Sequence, residues 1–180
     1  DTAAVAAALG AQVLRPPAPP PGWLGKPWAC WQGARRASGE VLVFLDADTE
    51  MEAGGLQRIV ATWVQRRGLV SLWPYHRMRR AYERLSAFFH IVVLASMRSF
   101  TPLGSRLPPL GAFGPCIACA RRDYLRLGGH ERVKGEILED VALGQLFLRG
   151  GHRLHNLGGR GAIGFRMYPE GVASLVAGLG

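Results

Sequence analysis

Five consecutive apolar residues, at positions 41–45, are followed directly by two aspartates, Asp46 and Asp48. An uninterrupted apolar run of this length is typical of a strand that is buried in an open α/β sheet. Such sheets bind ligands at the carboxyl ends of their strands, where both aspartates would lie. Two neighbouring carboxylates repel each other unless a cation shares their charge, so the pattern predicts a Mg²⁺ or Mn²⁺ site. The alternative is that Asp46 caps a turn and Asp48 starts the next helix.

Apolar periodicity and turn residues divide the chain into alternating helices and strands. The patterns predict helices at residues 2–10, 26–37, 51–67, 121–127 and 139–149, and strands at residues 11–14, 41–45, 69–73, 113–119 and 152–157. Five prolines between residues 15 and 21 predict an irregular connection. The succession of strand, helix and strand predicts parallel pairing through right-handed crossovers. Residues 130–137, which include a glycine, are predicted to form a mobile loop.

Several short motifs follow one another in a recognisable order. They are Gly-Trp-Leu-Gly-Lys (22–26), Asp-Ala-Asp (46–48), Pro-Tyr-His (74–76), Gly-Pro-Cys (114–116), Gly-Gly-His (128–130), Glu-Asp (139–140) and Arg-Met-Tyr-Pro-Glu-Gly (166–171). In this order they resemble a family 2 glycosyltransferase of the GT-A type, and within it the membrane-associated enzymes that glycosylate carotenoids. The resemblance covers nearly the whole chain.

The resemblance implies a GT-A-like (Rossmann-like) α/β fold, with a mostly parallel sheet flanked by helices. Residues 1–180 would form a single catalytic domain that lacks the first strand of the fold and the carboxyl-terminal membrane segments of the relatives. The Gln-x-x-Arg-Trp motif of processive relatives is absent, which argues against a polymerising synthase.

The resemblance also implies roles for individual residues. Asp48 would be the ligand of Mg²⁺ or Mn²⁺, and Asp46 would contact the ribose of the donor or a metal-bound water. Asp140 would be the general base, at the amino end of a helix whose dipole favours a carboxylate. The remaining candidates are Lys26 and Arg166 on the donor side and Glu139 and His130 on the acceptor side. A solvated surface position remains the alternative for Lys26 and for His130.

Charge and composition restrict the partners. A formal net charge of +9 calls for an anionic partner, which could be a nucleic acid, an anionic membrane surface or a nucleotide sugar. The basic residues are scattered and form no RNA or DNA recognition motif, so no nucleic-acid partner is expected. Three cysteines, Cys30, Cys116 and Cys119, lack zinc-site spacing and are expected to be small buried residues.

Residues 77–100 combine an arginine-rich start with an uncharged apolar stretch. The stretch is shorter than the roughly 20 apolar residues that cross a bilayer, so it would lie in the membrane interface. A core helix with a solvated first turn is the alternative. The membrane interpretation places the protein at the cytoplasmic face of the cell membrane.

These observations lead to one expected function and two alternatives. The expected function is inverting, metal-dependent transfer of a hexose from a nucleotide sugar, expected to be UDP-glucose, to a hydrophobic membrane acceptor such as a carotenoid. If that acceptor is a carboxylic acid, it arrives ionised, and Asp140 would mainly orient it. One alternative keeps the enzyme and changes the acceptor to a polyprenyl phosphate or another lipid. The other is a truncated module that binds nucleotide or membrane without turnover.

Overall fold

The computed structural model describes residues 2–78, 80, 92, 94–99 and 109–165. The helices are α1 (Thr2–Ala8), α2 (Gly25–Arg36), α3 (Gly55–Arg66), α4 (Arg121–Leu127) and α5 (Glu139–Arg149), with a 3₁₀ helix at Gly129–Val133. The strands are β1 (Val41–Leu45), β2 (Glu50–Met51), β3 (Leu69–Trp73), β4 (Tyr75–His76), β5 (Cys116–Ala120), β6 (Leu154–Gly158) and β7 (Ile163–Phe165).

The central sheet has the strand order β1-β5-β3-β6. Strands β1, β3 and β6 run in the same direction, whereas β5 is antiparallel and lies between β1 and β3. The prediction of an α/β fold with a central sheet flanked by helices is confirmed. Three of the four strands share one direction, but two of the three strand pairings are antiparallel. Direct pairing of β1 with β3 is not found, because β5 occupies the position between them.

Helices cover both faces of this sheet. Every residue of β5 is buried, as expected for a strand with a neighbour on each side. On one face the core contains Leu42, Leu69, Ile117, Tyr124, Leu143 and Phe147. On the other face α3 contributes Ile59 and Trp63, which pack with Val70, Leu72 and Ala118. Successive side chains of the strands point to opposite faces of the sheet, so the strands contribute to two separate apolar cores.

A second, small sheet with the order β2-β7-β4 adjoins the turn after β1. Arg77, which follows β4, contacts Glu50 at 3.0 Å and Glu52 at 3.2 Å. The turn that carries Asp46 and Asp48 thus lies between the central sheet and an element held by these ion pairs.

Three predictions of local structure were wrong. Residues 11–14 form no strand, because they are largely exposed and pair with no strand of the described part. Helix α3 begins at Gly55 rather than at residue 51, since Glu50 and Met51 pair with β7. The prediction of a mobile loop at residues 130–137 was wrong for its first four residues, because residues 129–133 form a 3₁₀ helix with His130 buried.

Two sequence features lie largely or wholly outside the described residues. These are the 77–100 segment, apart from a few positions, and the 166–171 string with Arg166. Among the residues that the structure describes, no helix has the length and apolar character needed to cross a bilayer.

Candidate active site

Lys26 lies at the centre of a cluster of three carboxylates. Its Nζ is 3.1 Å from Asp46 Oδ1, 3.0 Å from Glu139 Oε1 and 2.9 Å from Asp140 Oδ2. Four candidate residues from three separate sequence motifs therefore meet in the fold, because Lys26 contacts all three carboxylates.

Three elements of the fold bring these side chains together. Lys26 is the second residue of α2, and Asp46 follows the last residue of β1. Glu139 and Asp140 form the first turn of α5, where the helix dipole favours negative charge. The cluster therefore lies at the carboxyl end of β1, the end of an α/β sheet at which ligands bind.

One ammonium group among three carboxylates explains the ionisation of the cluster. Burial alone would lower the pKa of Lys26, but the contacts with Asp140, Asp46 and Glu139 outweigh it and raise the pKa above its ordinary value. Burial raises the pKa of Asp140 to about 6, because the repulsion of Glu139 and Asp46 adds to it and the contact with Lys26 only partly offsets it. Lys26 thus stays charged, and Asp140 is the carboxylate poised to exchange a proton near neutral pH.

The backbone before β5 forms one wall of the cluster. A Cβ atom at Gly114 would collide with Asp140 Oδ2 and lie 3.4 Å from Lys26 Nζ, so glycine is required for this close approach. The segment is anchored by Ser71 in β3, whose hydroxyl accepts from the Phe113 N–H at 2.6 Å and donates to the Phe113 carbonyl at 3.0 Å. Asp46 is tied to the same segment, since its N–H donates to the Pro115 carbonyl at 3.0 Å.

Asp48 lies apart from this cluster, exposed at the tip of the turn after β1. Thr49 closes the turn, because its hydroxyl and its N–H both donate to the Asp46 carbonyl. In the described part of the chain, no three His, Cys, Asp or Glu side chains form a complete metal site. A single exposed carboxylate such as that of Asp48 fits a Mg²⁺ or Mn²⁺ site. In such sites the protein supplies one or two carboxylates, and phosphate oxygens and water supply the other ligands.

His130 is almost fully buried, with 1% of its surface exposed. Its Nδ1 is 2.6 Å from the Tyr124 hydroxyl, which also accepts from the His130 N–H at 3.0 Å. Phe44 packs edge-on against the ring at 5.1 Å. Burial lowers the pKa of His130 to about 4, so the ring is neutral at physiological pH. Direct contact of His130 with donor or acceptor remains a prediction.

Gly114, Ser71 and Tyr124 are site residues to which sequence reasoning assigned no role. Ser71 had a detectable signal, since it is a hydroxyl residue within the apolar strand β3. Gly114 stood in a motif of the resemblance, but the sequence alone does not show which side chain approaches its Cα. The role of Tyr124 depends on its contact with His130, which only the tertiary structure shows.

A large cavity among the described residues lies elsewhere, at the opposite end of the central sheet. It has a volume of about 960 Å³, and its wall includes Arg67, Arg121, Arg122, Arg126, Glu40 and Asp123. Glu40 precedes β1 and Arg121 follows β5, so this end faces away from Asp46. We place the candidate active site at the smaller Lys26 cluster, because it combines close carboxylates, a fixed cation and a shifted pKa.

Comparison with known sequences identifies the family of the chain. The sequence model of the family described as glycosyl transferase family 21 matches residues 20–158. The chain belongs to glycosyl transferase family 21. The match spans α2, β1 and α5, and therefore all four residues of the Lys26 cluster.

Two curated relatives carry the same name. The chain is 34% identical over 182 residues to 4,4'-diaponeurosporenoate glycosyltransferase of Staphylococcus haemolyticus, a match that covers 98% of the chain and 48% of the relative. It is 33% identical to 4,4'-diaponeurosporenoate glycosyltransferase of Staphylococcus aureus strain MRSA252, over 99% of the chain and 48% of the relative. The chain thus spans about half the length of these relatives.

Solved structures share the fold at lower identity. A mycobacterial protein superposes with a TM-score of 0.54 and 24% identity, over 97% of this chain and 55% of the other. Glucosyl-3-phosphoglycerate synthase of Mycobacterium tuberculosis, in complex with Mn²⁺, uridine diphosphate and phosphoglyceric acid, superposes with a TM-score of 0.51 and 21% identity. That match covers 96% of this chain and 61% of the synthase.

Proposed function

We propose that this chain carries the donor site and the catalytic base of an inverting glycosyltransferase. Transfer of a hexose from UDP-glucose to a hydrophobic acceptor is the proposed reaction. The observation that carries the proposal is the contact of Lys26 with Asp46, Glu139 and Asp140, within about 3 Å in each case. Membership of glycosyl transferase family 21 supports the reaction class.

Asp140 is the group that receives the proton in this reaction. An acceptor hydroxyl forms a bond to the anomeric carbon while the bond from that carbon to the diphosphate oxygen breaks, and the hydroxyl proton passes to Asp140. A pKa of about 6 leaves Asp140 mostly ionised at neutral pH and still basic enough to accept the proton. Displacement from the opposite side of the sugar inverts the configuration. A carboxylic acid acceptor arrives ionised, and Asp140 then orients it.

Lys26 and Asp46 organise the donor side. Lys26 keeps its charge in the cluster and is 43% exposed, so it can still meet an anionic donor. Asp46 is fixed by its backbone contact with Pro115 and presents a carboxylate to the donor ribose. Asp48 would hold the Mg²⁺ or Mn²⁺ ion, which neutralises charge on the diphosphate leaving group when bound. Arg166, outside the described residues, is proposed to contact the same diphosphate.

The proposed acceptor is a carotenoid acid or a similar membrane lipid. The relatives at 34% and 33% identity are both named 4,4'-diaponeurosporenoate glycosyltransferase, after such an acid. An acceptor of this kind is dissolved in the bilayer, so we place the reaction at the cytoplasmic face of the cell membrane. The 77–100 segment is the proposed contact with that surface, and it lies largely outside the described residues.

The configuration of the product tests the proposal. The full-length protein is incubated with UDP-α-glucose, Mn²⁺ and a carotenoid acid in detergent, and the anomeric coupling of the product is measured by NMR spectroscopy. A β-linked glucoside is expected from a single displacement. An α-linked product would contradict inversion, and the absence of transfer from any nucleotide hexose to any lipid acceptor would contradict the proposed function.

A further inference from the structure

Two segments of the chain run side by side next to the Lys26 cluster. The first precedes α2 and contains Leu24, whose N–H donates to the Lys134 carbonyl at 3.0 Å. The second segment, residues 134–138, precedes α5. The contacts of Lys26 with Glu139 and Asp140 join the beginning of α2 to the beginning of α5. Residues 135–138 are therefore held between two fixed points, one at Lys134 and one at the carboxylates.

Ile137 and Leu138 lie in this interval and are strongly exposed. Ile137 is 87% exposed and Leu138 is 69% exposed, and Leu24 on the facing segment is 44% exposed. Leu138 is the residue immediately before Glu139, and it is also the N-cap of α5. These two adjacent aliphatic side chains form an exposed apolar surface next to the candidate base, and its burial by a ligand is favourable. We refer to Leu24, Ile137 and Leu138 as the apolar lip.

We propose that Ile137 and Leu138 contact the apolar body of the acceptor and set the preference of the enzyme for long hydrophobic acceptors. This inference rests on the proposed function. Because the reacting oxygen of the acceptor must reach Asp140, the part of the acceptor next to that oxygen passes the residues immediately before α5. An apolar chain covers the lip, whereas a small polar acceptor leaves it in water.

The experiment uses the full-length enzyme with single Ile137→Ser and Leu138→Ser variants. Leu9→Ser is the matched control, because Leu9 is 82% exposed and follows α1, outside the apolar lip. Each protein is assayed in detergent micelles with a long polyene carboxylic acid and with a short, water-soluble polyene acid. The KM of each acceptor, the affinity for UDP, the binding to anionic vesicles and the thermal unfolding midpoint are measured.

We expect each lip variant to raise the KM of the long acceptor about 10-fold, since burial of an aliphatic side chain contributes roughly that factor or more. The KM of the short acceptor, the affinity for UDP and the unfolding midpoint stay within about twofold of the Leu9→Ser values. The Ile137→Leu variant keeps the apolar surface, so its KM for the long acceptor is expected to equal that of the unmodified enzyme.

Each of four results would overturn the inference. Unchanged KM values for the long acceptor would remove the proposed contact, and equal increases for both acceptors would show a general disturbance of the site. Loss of binding to anionic vesicles with an unchanged KM in micelles would assign the lip to the membrane surface instead. If the unmodified enzyme transfers sugar to neither acceptor, the proposed carotenoid acid acceptor and the inference both fail, whereas transfer that is insensitive to both substitutions refutes the inference alone.

Discussion

The two ends of the central sheet carry opposite arrangements of charge. At the carboxyl end of β1, one lysine is shared by three carboxylates within about 3 Å. At the other end, about 15 Å away along the strands, arginines outnumber acidic residues around a cavity of about 960 Å³. We place the proposed active site at the carboxyl end of β1 because a cation and three carboxylates are in close contact there, and not because of cavity size.

Burial and anchoring explain the difference. Asp140 and Glu139 are 16% and 10% exposed, and the Asp46 backbone is tied to Pro115. At the arginine-rich end, Arg122 is 89% exposed and contacts Asp123 at 3.4 Å. Exposed pairs of this kind contribute little to stability and leave the side chains mobile.

The largest difference is expected between Asp140→Asn and Asp123→Asn. The amide that replaces the carboxylate of Asp140 cannot accept a proton, so transfer to a hydroxyl acceptor falls about 10²- to 10⁴-fold in the first variant. Asp123 pairs only with exposed arginines and a histidine in the described part, so turnover in the second variant stays within about twofold. Steady-state transfer by the full-length protein measures both, with circular dichroism as the folding control. Equal losses in the two variants would contradict the assignment of the active site.

A smaller difference is expected between Lys26→Met and Arg126→Met. Without Lys26, three carboxylates repel one another and the anionic donor loses a positive contact, so donor affinity falls about 10- to 100-fold. The free energy of unfolding decreases by about 1–2 kcal/mol, a figure reduced for the exposure of Lys26. Calorimetric titration with UDP and chemical denaturation measure the two effects. If Lys26→Met bound UDP as tightly as Arg126→Met, Lys26 would have no role on the donor side.

The packing of Gly114 gives a third comparison. In Gly114→Ala the new methyl group meets Asp140 Oδ2 and displaces the base, so kcat falls about 10-fold. Gly33→Ala in α2 is the control, because no atom lies within 4 Å of a Cβ at that position. The control is expected to retain full activity and to gain up to about 1 kcal/mol of stability. Retention of full activity by both variants would show that Asp140 has room to move.

The pH dependence gives the smallest but most specific effect. Because the pKa of Asp140 is raised to about 6 in the folded protein, kcat/KM for a hydroxyl acceptor falls as the pH decreases through about 6. The contribution of Asp140 to stability has the opposite sign. It is fully present below the unfolded pKa of 3.8 and is lost as the pH rises through 6.

The stability difference between the wild type and Asp140→Asn isolates this group. Relative to the variant, the wild type is expected to lose about 2–3 kcal/mol between pH 4 and pH 7. Chemical denaturation across this range measures the difference. A constant difference, or an acid limb of activity that persists in Asp140→Asn, would assign the titration to another group.

The sequence predicted the elements of the site better than the contacts between them. The apolar run before Asp46 and the periodicity of residues 139–149 were sufficient, because both patterns depend on local burial. The insertion of β5 between β1 and β3 was not predictable, since the antiparallel pairing of β5 is a long-range contact that its local apolar pattern does not specify. The strand predicted at residues 11–14 failed for a related reason, because this short segment is largely exposed and pairs with no strand among the described residues.

The same distinction applies to the side chains. Lys26, Asp46, Glu139 and Asp140 could be selected by residue type and motif, but their common contact depends on the tertiary fold. His130 was selected by type as well, and its burial against Tyr124 was not predictable because Tyr124 belongs to a separate helix. Sequence patterns report which chemistry is present, and long-range packing decides which groups meet.

Calorimetric titration of the full-length protein with UDP, in the presence and absence of Mn²⁺, tests the central claim that the donor site lies at the carboxyl end of β1. We predict Mn²⁺-dependent binding of UDP that is lost in Asp48→Ala and retained in Asp123→Ala. Binding that survives in Asp48→Ala and disappears in Asp123→Ala would place the donor at the arginine-rich end and contradict the account.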